Sequence, residues 1–366
     1  MPESKSTARE VARAIVALVG VTLLTGALLA TGEWLDRHVL PSFLEPRRTV
    51  LITATVVRVA AALLGAALIR IARSRVALGA LLRGALAVVV ALGLCEWVLS
   101  RAHRHAAQER PALEEPLRQP DARLGWRFVP SRTGHAGAIE YAFDAFGERV
   151  RSAAEPIDPA RPTLLFTGES MVVGHGLTWA ESVPGQVEAL TGTQSANLAV
   201  HGFANDQAWL RLHDELPRFA KPVAVVSLFM PAIFDRNLDE DRPHLGPDLA
   251  PLPPQHGLQL WALARRLLPY RSTAAIDRGV AMTREVLRVT ERAAHERGAR
   301  SLIVVPHFGA ETGAELALRR RVLDDAGLTY LPVALEEGWR LPGDRHPDAR
   351  AAHAIAAAIA ARLQAR

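Results

Sequence analysis

Cysteine is almost absent from this sequence of 366 residues, which contains only Cys95. A single cysteine cannot form an internal disulfide, which excludes both a disulfide scaffold and a metal site built from several cysteines. Internal repeats are absent as well. Apolar residues nevertheless make up 49 % of the chain, which excludes a disordered protein.

The larger, C-terminal part of the chain lacks a surplus of positive charge. Lys and Arg outnumber Asp and Glu by 13 to 6 up to residue 108, whereas the rest contains 30 basic and 32 acidic residues. A nucleic-acid-binding domain carries excess Arg and Lys on one face, so this balance argues against a nucleic-acid partner.

Three stretches near the N-terminus are long and apolar enough to cross a bilayer, which takes about 20 residues per helix. They are residues 11–30, residues 50–69, and a third stretch that begins at 76 or 84 and ends at 99. The first is too long for a signal-peptide core, so we interpret it as an anchor. Three spans with a cytoplasmic start would export the C-terminal domain, and two would keep it inside. We predict a multi-pass protein of the inner (cytoplasmic) membrane with an extracytoplasmic C-terminal domain.

Arg58 lies within the second span and Glu96 near the far end of the third. A charge at mid-span costs on the order of 3 kcal/mol and usually faces other helices. If the two spans are antiparallel, Arg58 and Glu96 could pair; the alternative is that the charges only tilt the helices. A transporter would need more spans and more buried polar groups, so we look for the function elsewhere in the chain.

Composition divides the chain into a membrane region, 1–100, a Pro-containing linker, 101–123, and a folded domain, 124–366. Residues 141–151 predict a short hairpin ahead of the main sheet. After Pro162, apolar runs of strand length alternate with helical segments, which predicts an α/β domain whose parallel sheet is covered on both faces. The predicted strands are 163–167, 196–200, 223–229, 302–306 and 329–333, and the clearest helices are 276–297, 314–326 and 349–363.

A serine follows the first predicted strand, in the segment Thr167-Gly168-Glu169-Ser170. Ligands of a parallel sheet bind at the carboxyl ends of its strands, which is where a nucleophile belongs. Backbone N–H groups at the start of the next helix can stabilise an oxyanion, and Gly168 lets a substrate approach closely. The alternative is that Ser170 only caps the helix.

Asp344 and His346 supply a candidate base close to the C-terminus. Residues i and i+2 of an extended loop point the same way, so Asp344 can hold Nδ1 of His346 and leave Nε2 free for a serine. Each residue alone is common before a helix, but together with Ser170 they predict nucleophilic catalysis. The G-x-S-x-G elbow of α/β-hydrolases is excluded, because Val172 occupies its second glycine position.

These motifs resemble those of the SGNH, or GDSL-type, hydrolases, in particular their membrane-bound bacterial branch, over roughly residues 121–366. The matching blocks are Gly168-Glu169-Ser170 with Gly174-His175-Gly176, Asn197 to Gly202, and Asp344-Arg345-His346-Pro347. The resemblance implies a flavodoxin-like three-layer sandwich and no cofactor. It also implies Ser170 as nucleophile, His346 as base, Asp344 as its orienting acid, and the N–H groups of Ser170 and Gly202 as oxyanion donors.

The sequence departs from the family pattern at several places, one of them the spacing of Asp344 and His346, which are separated by one residue instead of the two seen in many members. Glu169 replaces the Asp of the first block, Ala199 replaces a glycine of the second, and Ala232 or Ile233 occupies the place of the third-block Asn. That Asn side chain donates to the oxyanion, and one such donor is worth about 3 kcal/mol. Asn205 and Asn237 are candidate replacements, although a surface position is the alternative for Asn237.

Other polar and aromatic residues carry weaker signals. We interpret His201 as a candidate substrate contact and leave His175 and His307 unassigned. No H-x-x-x-H pair accompanies them, so we predict no metal site. The long segment 235–254 is a candidate lid or binding loop. Three tryptophans are candidates either for a sugar-binding cleft or for the core: Trp179, Trp209 and Trp261.

Taken together, the sequence predicts a membrane-anchored serine esterase, or acyltransferase, that forms an acyl-enzyme at Ser170. The predicted substrates are O-acyl groups, such as O-acetyl, of an envelope glycan or lipid. The alternative is a catalytically weak SGNH-like component that binds a glycan, or transfers an acyl group to it, for an envelope polysaccharide system.

Overall fold

The computed structural model describes residues 3–38, 40–41, 47–74, 78–108, 115–239, 242–246, 248–254, 257–267 and 270–365. Two compact units comprise residues 1–111 with 257–273, and residues 112–256 with 274–366. Within the predicted linker, residues 101–108 continue a helix, and residues 109–114 lie outside the described residues.

The first hundred residues are mostly helical, and strands and helices alternate in the rest. The elements before residue 115 are α1 (Glu3–Leu29), α2 (Gly32–His38), β1 (Leu40–Pro41), α3 (Arg47–Arg73) and α4 (Leu78–Gln108). Those up to residue 236 are β2 (Arg118–Asp121), β3 (Gly125–Phe128), β4 (Thr133–Ala136), β5 (Ile139–Phe143), β6 (Arg149–Val150), β7 (Pro162–Thr167), α5 (Ser170–Val173), α6 (Val183–Thr191), β8 (Gln194–Asn197), α7 (Asn205–Glu215), β9 (Lys221–Leu228) and α8 (Pro231–Arg236). The remaining elements are β10 (His244–Leu245), β11 (Pro251–Leu252), α9 (Gln259–Leu267), β12 (Tyr270–Arg271), α10 (Thr273–Glu296), β13 (Arg300–Phe308), α11 (Gly313–Val322), β14 (Tyr330–Leu335) and α12 (Ala349–Gln364).

Within the described residues, three helical stretches are long and apolar enough to cross a membrane, as the sequence predicts. They are Glu10–Leu29 in α1, Arg48–Arg73 in α3 and Arg83–Ala102 in α4. The third begins next to the later of its two predicted starts. Small residues let α1 and α3 approach closely, because a Cβ on Gly20 would lie 2.8 Å from the carbonyl oxygen of Gly65.

Within the described residues, Arg58 and Glu96 do not form an ion pair, so that prediction is wrong. Arg58 lies on α3, which packs along α1, and its Nε donates to the carbonyl oxygen of Ala27, 2.9 Å away. The Glu96 carboxylate accepts instead from the backbone N–H groups of Gln259 and Leu260. Each charge therefore finds backbone partners closer than the other side chain.

The second unit is built on an eight-stranded sheet in the order β14-β13-β9-β7-β8-β6-β5-β4. Its first five strands are parallel and β6, β5 and β4 are antiparallel. Numbered by their position in the chain, the parallel strands follow the doubly wound order 2-1-3-4-5. α6 and α12 pack together. With this strand order, the right-handed crossovers that parallel strands favour place these two helices on one face and α7, α10 and α11 on the other. The predicted three-layer α/β fold is confirmed.

The second predicted strand is displaced, although the apolar run that predicts it is buried. The expected strand is 196–200, but β8 ends at Asn197. The Asn197 side-chain amide donates to the carbonyl oxygen of Val172, and its Oδ1 accepts the N–H of Ala199. The N–H groups of Leu198 and Val200 still donate to the carbonyl oxygens of Phe166 and Gly168, so hydrogen bonding continues past the end of the regular strand. Leu198, Ala199 and Val200 are fully buried, which explains their apolar character.

Candidate active site

Ser170 begins the short helix α5, directly beyond the carboxyl end of β7. Gly168 makes the sharp connection with φ of +154°, and a Cβ there would lie 3.0 Å from Val172 Cγ2, so a larger residue would be strained. Glu169 is the N-cap of α5, and its Oε1 accepts the N–H of Met171. The cap is therefore Glu169, and the Ser170 hydroxyl is left for other partners.

The loop between β14 and α12 brings a histidine and an aspartate to this serine. Nε2 of His346 lies 2.7 Å from Ser170 Oγ, and Nδ1 of His346 lies 2.6 Å from Asp344 Oδ1. The same Asp344 oxygen accepts the backbone N–H of His346, which fixes the carboxylate relative to the ring. With its proton on Nδ1, His346 presents a lone pair on Nε2 to the serine hydroxyl, the geometry that general-base catalysis needs.

Asp344 has a second histidine partner, which the sequence analysis left unassigned. Nε2 of His175 lies 3.4 Å from Asp344 Oδ2, and its ring centroid is 4.4 Å from that of His346. Burial alone would raise the pKa of Asp344, but the N–H donors of His346 and the nearby imidazoles outweigh it and lower that pKa below 3.8. Asp344 therefore stays ionised at neutral pH and can orient His346.

His201, the predicted substrate contact, lies next to the His175 ring. Its centroid is 5.0 Å from that of His175 and 5.4 Å from that of Phe128. Burial, followed by the electrostatic effect of His175 and His346, holds the pKa of His201 well below its ordinary 6.5, so its ring is neutral at pH 7.

The family resemblance implies two backbone N–H groups, those of Ser170 and Gly202, as oxyanion donors. Within the described residues, neither the N–H of Ser170 nor that of Gly202 donates to a protein acceptor. Gly202 has φ of +78°, and its carbonyl oxygen accepts from Arg242 Nη1 at 2.6 Å, so the neighbouring peptide is held in place. Both N–H groups therefore remain available to a developing negative charge.

Asn205 and Asn237, the candidates for the absent third donor, are engaged with each other and with the backbone. The Asn205 amide donates to the carbonyl oxygen of Leu228, and the Asn237 amide donates to Asn205 Oδ1 and to Thr283 Oγ1. Asn237 is buried, which corrects the surface alternative. Together the two side chains link α7, α8 and α10. Both amide N–H groups of Asn237 are used, so it has no donor left for an oxyanion, whereas Asn205 uses only one of its two.

An arginine occupies the region after β9 where the sequence analysis looked for an asparagine. Arg236, at the end of α8, donates from Nη1 to Glu169 Oε2 at 2.9 Å, and this same oxygen is hydrogen-bonded to Ser170 Oγ. Burial alone would raise the pKa of Glu169, but the Arg236 guanidinium and the hydrogen bonds from Ser170 and Met171 outweigh it and lower that pKa below 4.5. The pair therefore stabilises the fold above about pH 4.5, and this contribution is lost as the pH falls through the lowered pKa.

Glu169 and His346 compete for one proton, because the Ser170 hydroxyl can donate to only one acceptor at a time. Because Arg236 donates to the same Glu169 oxygen, it makes that oxygen a weaker acceptor for the Ser170 hydroxyl. This favours donation from Ser170 to His346. The sequence signal that could have found this pair is Glu169 itself, since a carboxylate buried beside a nucleophile requires a cation.

For the serine esterase that the sequence analysis predicts, replacing Arg236 with glutamine is expected to lower kcat about 100-fold with little change in KM, because an uncompensated Glu169 charge opposes the oxyanion. Steady-state hydrolysis of a soluble ester measures both constants. The double variant Arg236→Gln/Glu169→Gln, which removes both charges, is expected to recover much of the loss. A single variant with normal kcat, or a double variant no better than the single one, would show that charge compensation is not what Arg236 provides.

Arg149 holds the loop that carries His175. Its guanidinium is fully buried and donates to the carbonyl oxygens of Val173, Gly174 and Leu177 at 2.6 to 2.8 Å. It also stacks over the Tyr141 ring, 4.4 Å from the centroid, and burial lowers its pKa to about 10, which leaves it cationic at pH 7. The sequence analysis missed this residue, since one charge in a two-residue strand is usually a surface feature.

The remaining residues and segments that the sequence analysis singled out lie in different parts of the structure. The predicted binding loop, 235–254, contains the β10–β11 pair, and His244 Nδ1 lies 2.7 Å from Asp206 Oδ2; residues 240, 241 and 247 lie outside the described residues. Trp179 and Trp209 are buried, whereas Trp261 is exposed on α9, in the first unit. His307 points Nδ1 at the carbonyl oxygen of Gly309, 3.0 Å away.

His175, Asp344 and His346 could together hold a metal ion, because one ligand atom from each lies within 4.8 Å of the others. The sequence analysis predicted no metal site, since it found no such grouping along the chain. The same atoms form the hydrogen bonds that orient His346, so a metal bound there would compete with the serine geometry.

No protein-family model matches the sequence, and no curated protein matches it either. Solved structures with a similar fold include an acetyl xylan esterase from Butyrivibrio proteoclasticus (10 % identity, TM-score 0.37), a protein described as an SGNH hydrolase from Slackia heliotrinireducens (14 %, 0.33) and a family two carbohydrate esterase from Cellvibrio japonicus (12 %, 0.32). The matches cover 57, 55 and 57 % of this chain and 65, 98 and 62 % of those structures. This chain thus spans less than two thirds of either carbohydrate esterase, and at such identities the similarity concerns the fold alone.

Proposed function

We propose that this chain is a membrane-anchored serine esterase of the SGNH type. The observation that carries the proposal is the hydrogen-bonded series from Ser170 Oγ through His346 to Asp344 at the carboxyl edge of the sheet. Unpaired N–H groups at Ser170 and Gly202 support it, because an acyl transfer reaction needs donors where the oxyanion forms.

The reaction proceeds in two steps. Ser170 Oγ attacks the ester carbonyl while His346 Nε2 takes its proton, and the tetrahedral oxyanion accepts hydrogen bonds from the two N–H groups. The intermediate collapses when His346 returns the proton to the departing alcohol, leaving an acyl-enzyme at Ser170. Water, activated by the same imidazole, then releases the carboxylic acid. An acceptor hydroxyl in place of water gives acyl transfer, and both outcomes share every residue named here.

The proposed substrates are O-acyl groups, O-acetyl first, on a glycan or lipid of the cell envelope. The apolar helices support this choice, because a domain anchored at the membrane meets envelope components at its surface. We further propose that three spans with a cytoplasmic N-terminus place the second unit outside the inner membrane. Protease accessibility of that unit in intact spheroplasts tests the orientation.

The first experiment is fluorophosphonate labelling of the detergent-solubilised full chain, alongside acetate release from short-chain esters and acetylated glycans. The wild type is expected to be labelled and to release acetate, and Ser170→Ala is expected to do neither. Release of free acid distinguishes hydrolysis from transfer to an added glycan acceptor. A folded wild type that is neither labelled nor active would overturn the proposal and favour a binding component.

A further inference from the structure

Residues 257–273 belong to the unit of membrane helices, although the chain before and after them belongs to the α/β unit. The segment contains α9 and β12. β12 pairs antiparallel with β1, and Thr273 Oγ1 donates to the carbonyl oxygen of His38 at 3.1 Å. The insertion between α8 and α10 is therefore held by the first unit at its C-terminal end.

The N-terminal end of α9 is held by a residue inside the third apolar span. Glu96 Oε1 accepts the N–H of Gln259 at 2.9 Å, and Oε2 accepts the N–H of Leu260 at 2.8 Å. Ser100, one turn further along α4, donates to the same carboxylate. The Glu96 carboxylate and the first N–H groups of α9 stabilise each other, because an unpartnered carboxylate and unpaired helix N–H groups are both costly at membrane depth.

The position of Glu96 gives the depth of α9. The span ends at Ala102, so at 1.5 Å per residue Glu96 lies about 9 Å inside its end. The hydrocarbon core is about 30 Å thick, which puts the start of α9 in the outer third of the bilayer. A helix that began in water could not reach this carboxylate without drawing it out of the span.

The exposed side chains along this stretch are apolar. Among the described side chains of residues 257–264, the exposed ones are those of Leu258, Trp261 and Leu263, with 65, 59 and 42 % of their surface accessible. On α4, beside Glu96, Trp97 and Val98 are also exposed. Tryptophan is enriched where hydrocarbon meets headgroups, which agrees with the depth obtained from Glu96.

We propose that α9 is a second membrane-attachment element, whose occupant is the lipid bilayer. Leu258, Trp261 and Leu263 contact acyl chains near one interface, and Glu96 fixes the start of the helix at that depth. The catalytic unit is then tethered to the membrane twice, through α4 and through this insertion. The inference depends on the membrane spans and is independent of the proposed esterase activity.

The single cysteine makes a depth measurement direct. The full chain is reconstituted in phosphatidylcholine and phosphatidylglycerol vesicles with a nitroxide label at one site, and collisions with oxygen and with a water-soluble nickel complex are measured. Cys95, exposed within α4, gives the bilayer reference. Leu263→Cys and Ala154→Cys are made in a Cys95→Ala background, and Ala154, exposed in the second unit, gives the aqueous reference.

The oxygen-to-nickel collision ratio at Leu263→Cys is expected to resemble that at Cys95 and to exceed that at Ala154→Cys several-fold. Adding Glu96→Leu is expected to lower the ratio, because α9 loses its cap, whereas Glu96→Gln keeps an acceptor and retains most of it. A nickel-accessible label would overturn the proposal by placing α9 in water. A label shielded from both reagents would overturn it in favour of a protein partner or a second copy of the chain.

Discussion

Replacing His346 with alanine is expected to lower kcat/KM for ester hydrolysis by about 10⁴- to 10⁶-fold, the loss typical of a serine hydrolase without its base. The reason is geometric, since Nε2 of His346 lies 2.7 Å from Ser170 Oγ and Asp344 holds the ring in that position. Ser170→Ala is expected to lose as much. The double variant should lose no more than either single one, because the two residues act as a unit.

Hydrolysis of a p-nitrophenyl ester by the purified full chain measures these losses. Arg123→Gln is the matched control, because Arg123 is half-exposed and its pair with Asp214 lies at the surface. The control should stay close to wild-type activity, since surface ion pairs contribute at most about 1 kcal/mol. A His346→Ala variant that retains most of the activity would refute the assignment of the base.

Replacing Arg149 with methionine is expected to destabilise the second unit by about 3 to 5 kcal/mol, because three buried carbonyl groups lose their donor at once. In a unit of this size, that loss corresponds to a fall in Tm of about 10 °C. Calorimetric unfolding of the detergent-solubilised chain measures it. Activity is also expected to be reduced at temperatures below the new Tm, where the variant is still folded, because the affected loop positions His175 beside Asp344.

Arg151→Gln is the control for this variant. Arg151 lies two residues further along, is exposed, and forms an ion pair with Glu188 at 2.7 Å. Its loss should shift the Tm little. If Arg149→Met and Arg151→Gln have the same Tm, the three carbonyl hydrogen bonds do not stabilise the fold as proposed.

Local patterns predicted most of the fold. The alternation of apolar runs and helical segments predicted the parallel strands, and each was found within a few residues of its expected position. The exception is 196–200, because the regular strand ends at Asn197 and the three buried residues that follow only continue its hydrogen bonding to Phe166 and Gly168. The apolar spans were predictable for a similar reason, since hydropathy depends on composition over about 20 residues.

The site was only partly predictable. Motif spacing named Ser170, Asp344 and His346, and the structure brings these three together, whereas Gly202 was named only by the family resemblance. Spacing named neither Arg236 nor Arg149. Of the two suggested donors, Asn237 has both of its amide N–H groups occupied elsewhere. A hydrogen bond between side chains on different elements leaves no periodic trace in the sequence, so pattern reasoning does not detect it.

The sequence by itself determined which residues can react and which helices are apolar enough to enter a membrane, because both depend on side-chain type and local spacing. Only the tertiary structure determined which side chains from distant parts of the sequence contact one another. Glu169 meets Arg236 across 67 residues, and Ser170 meets His346 across 176. Glu96 likewise caps a helix 163 residues away. The packing of the strands and helices brings these residues into contact, and a charged side chain is buried only where a partner offsets the free-energy cost of its burial.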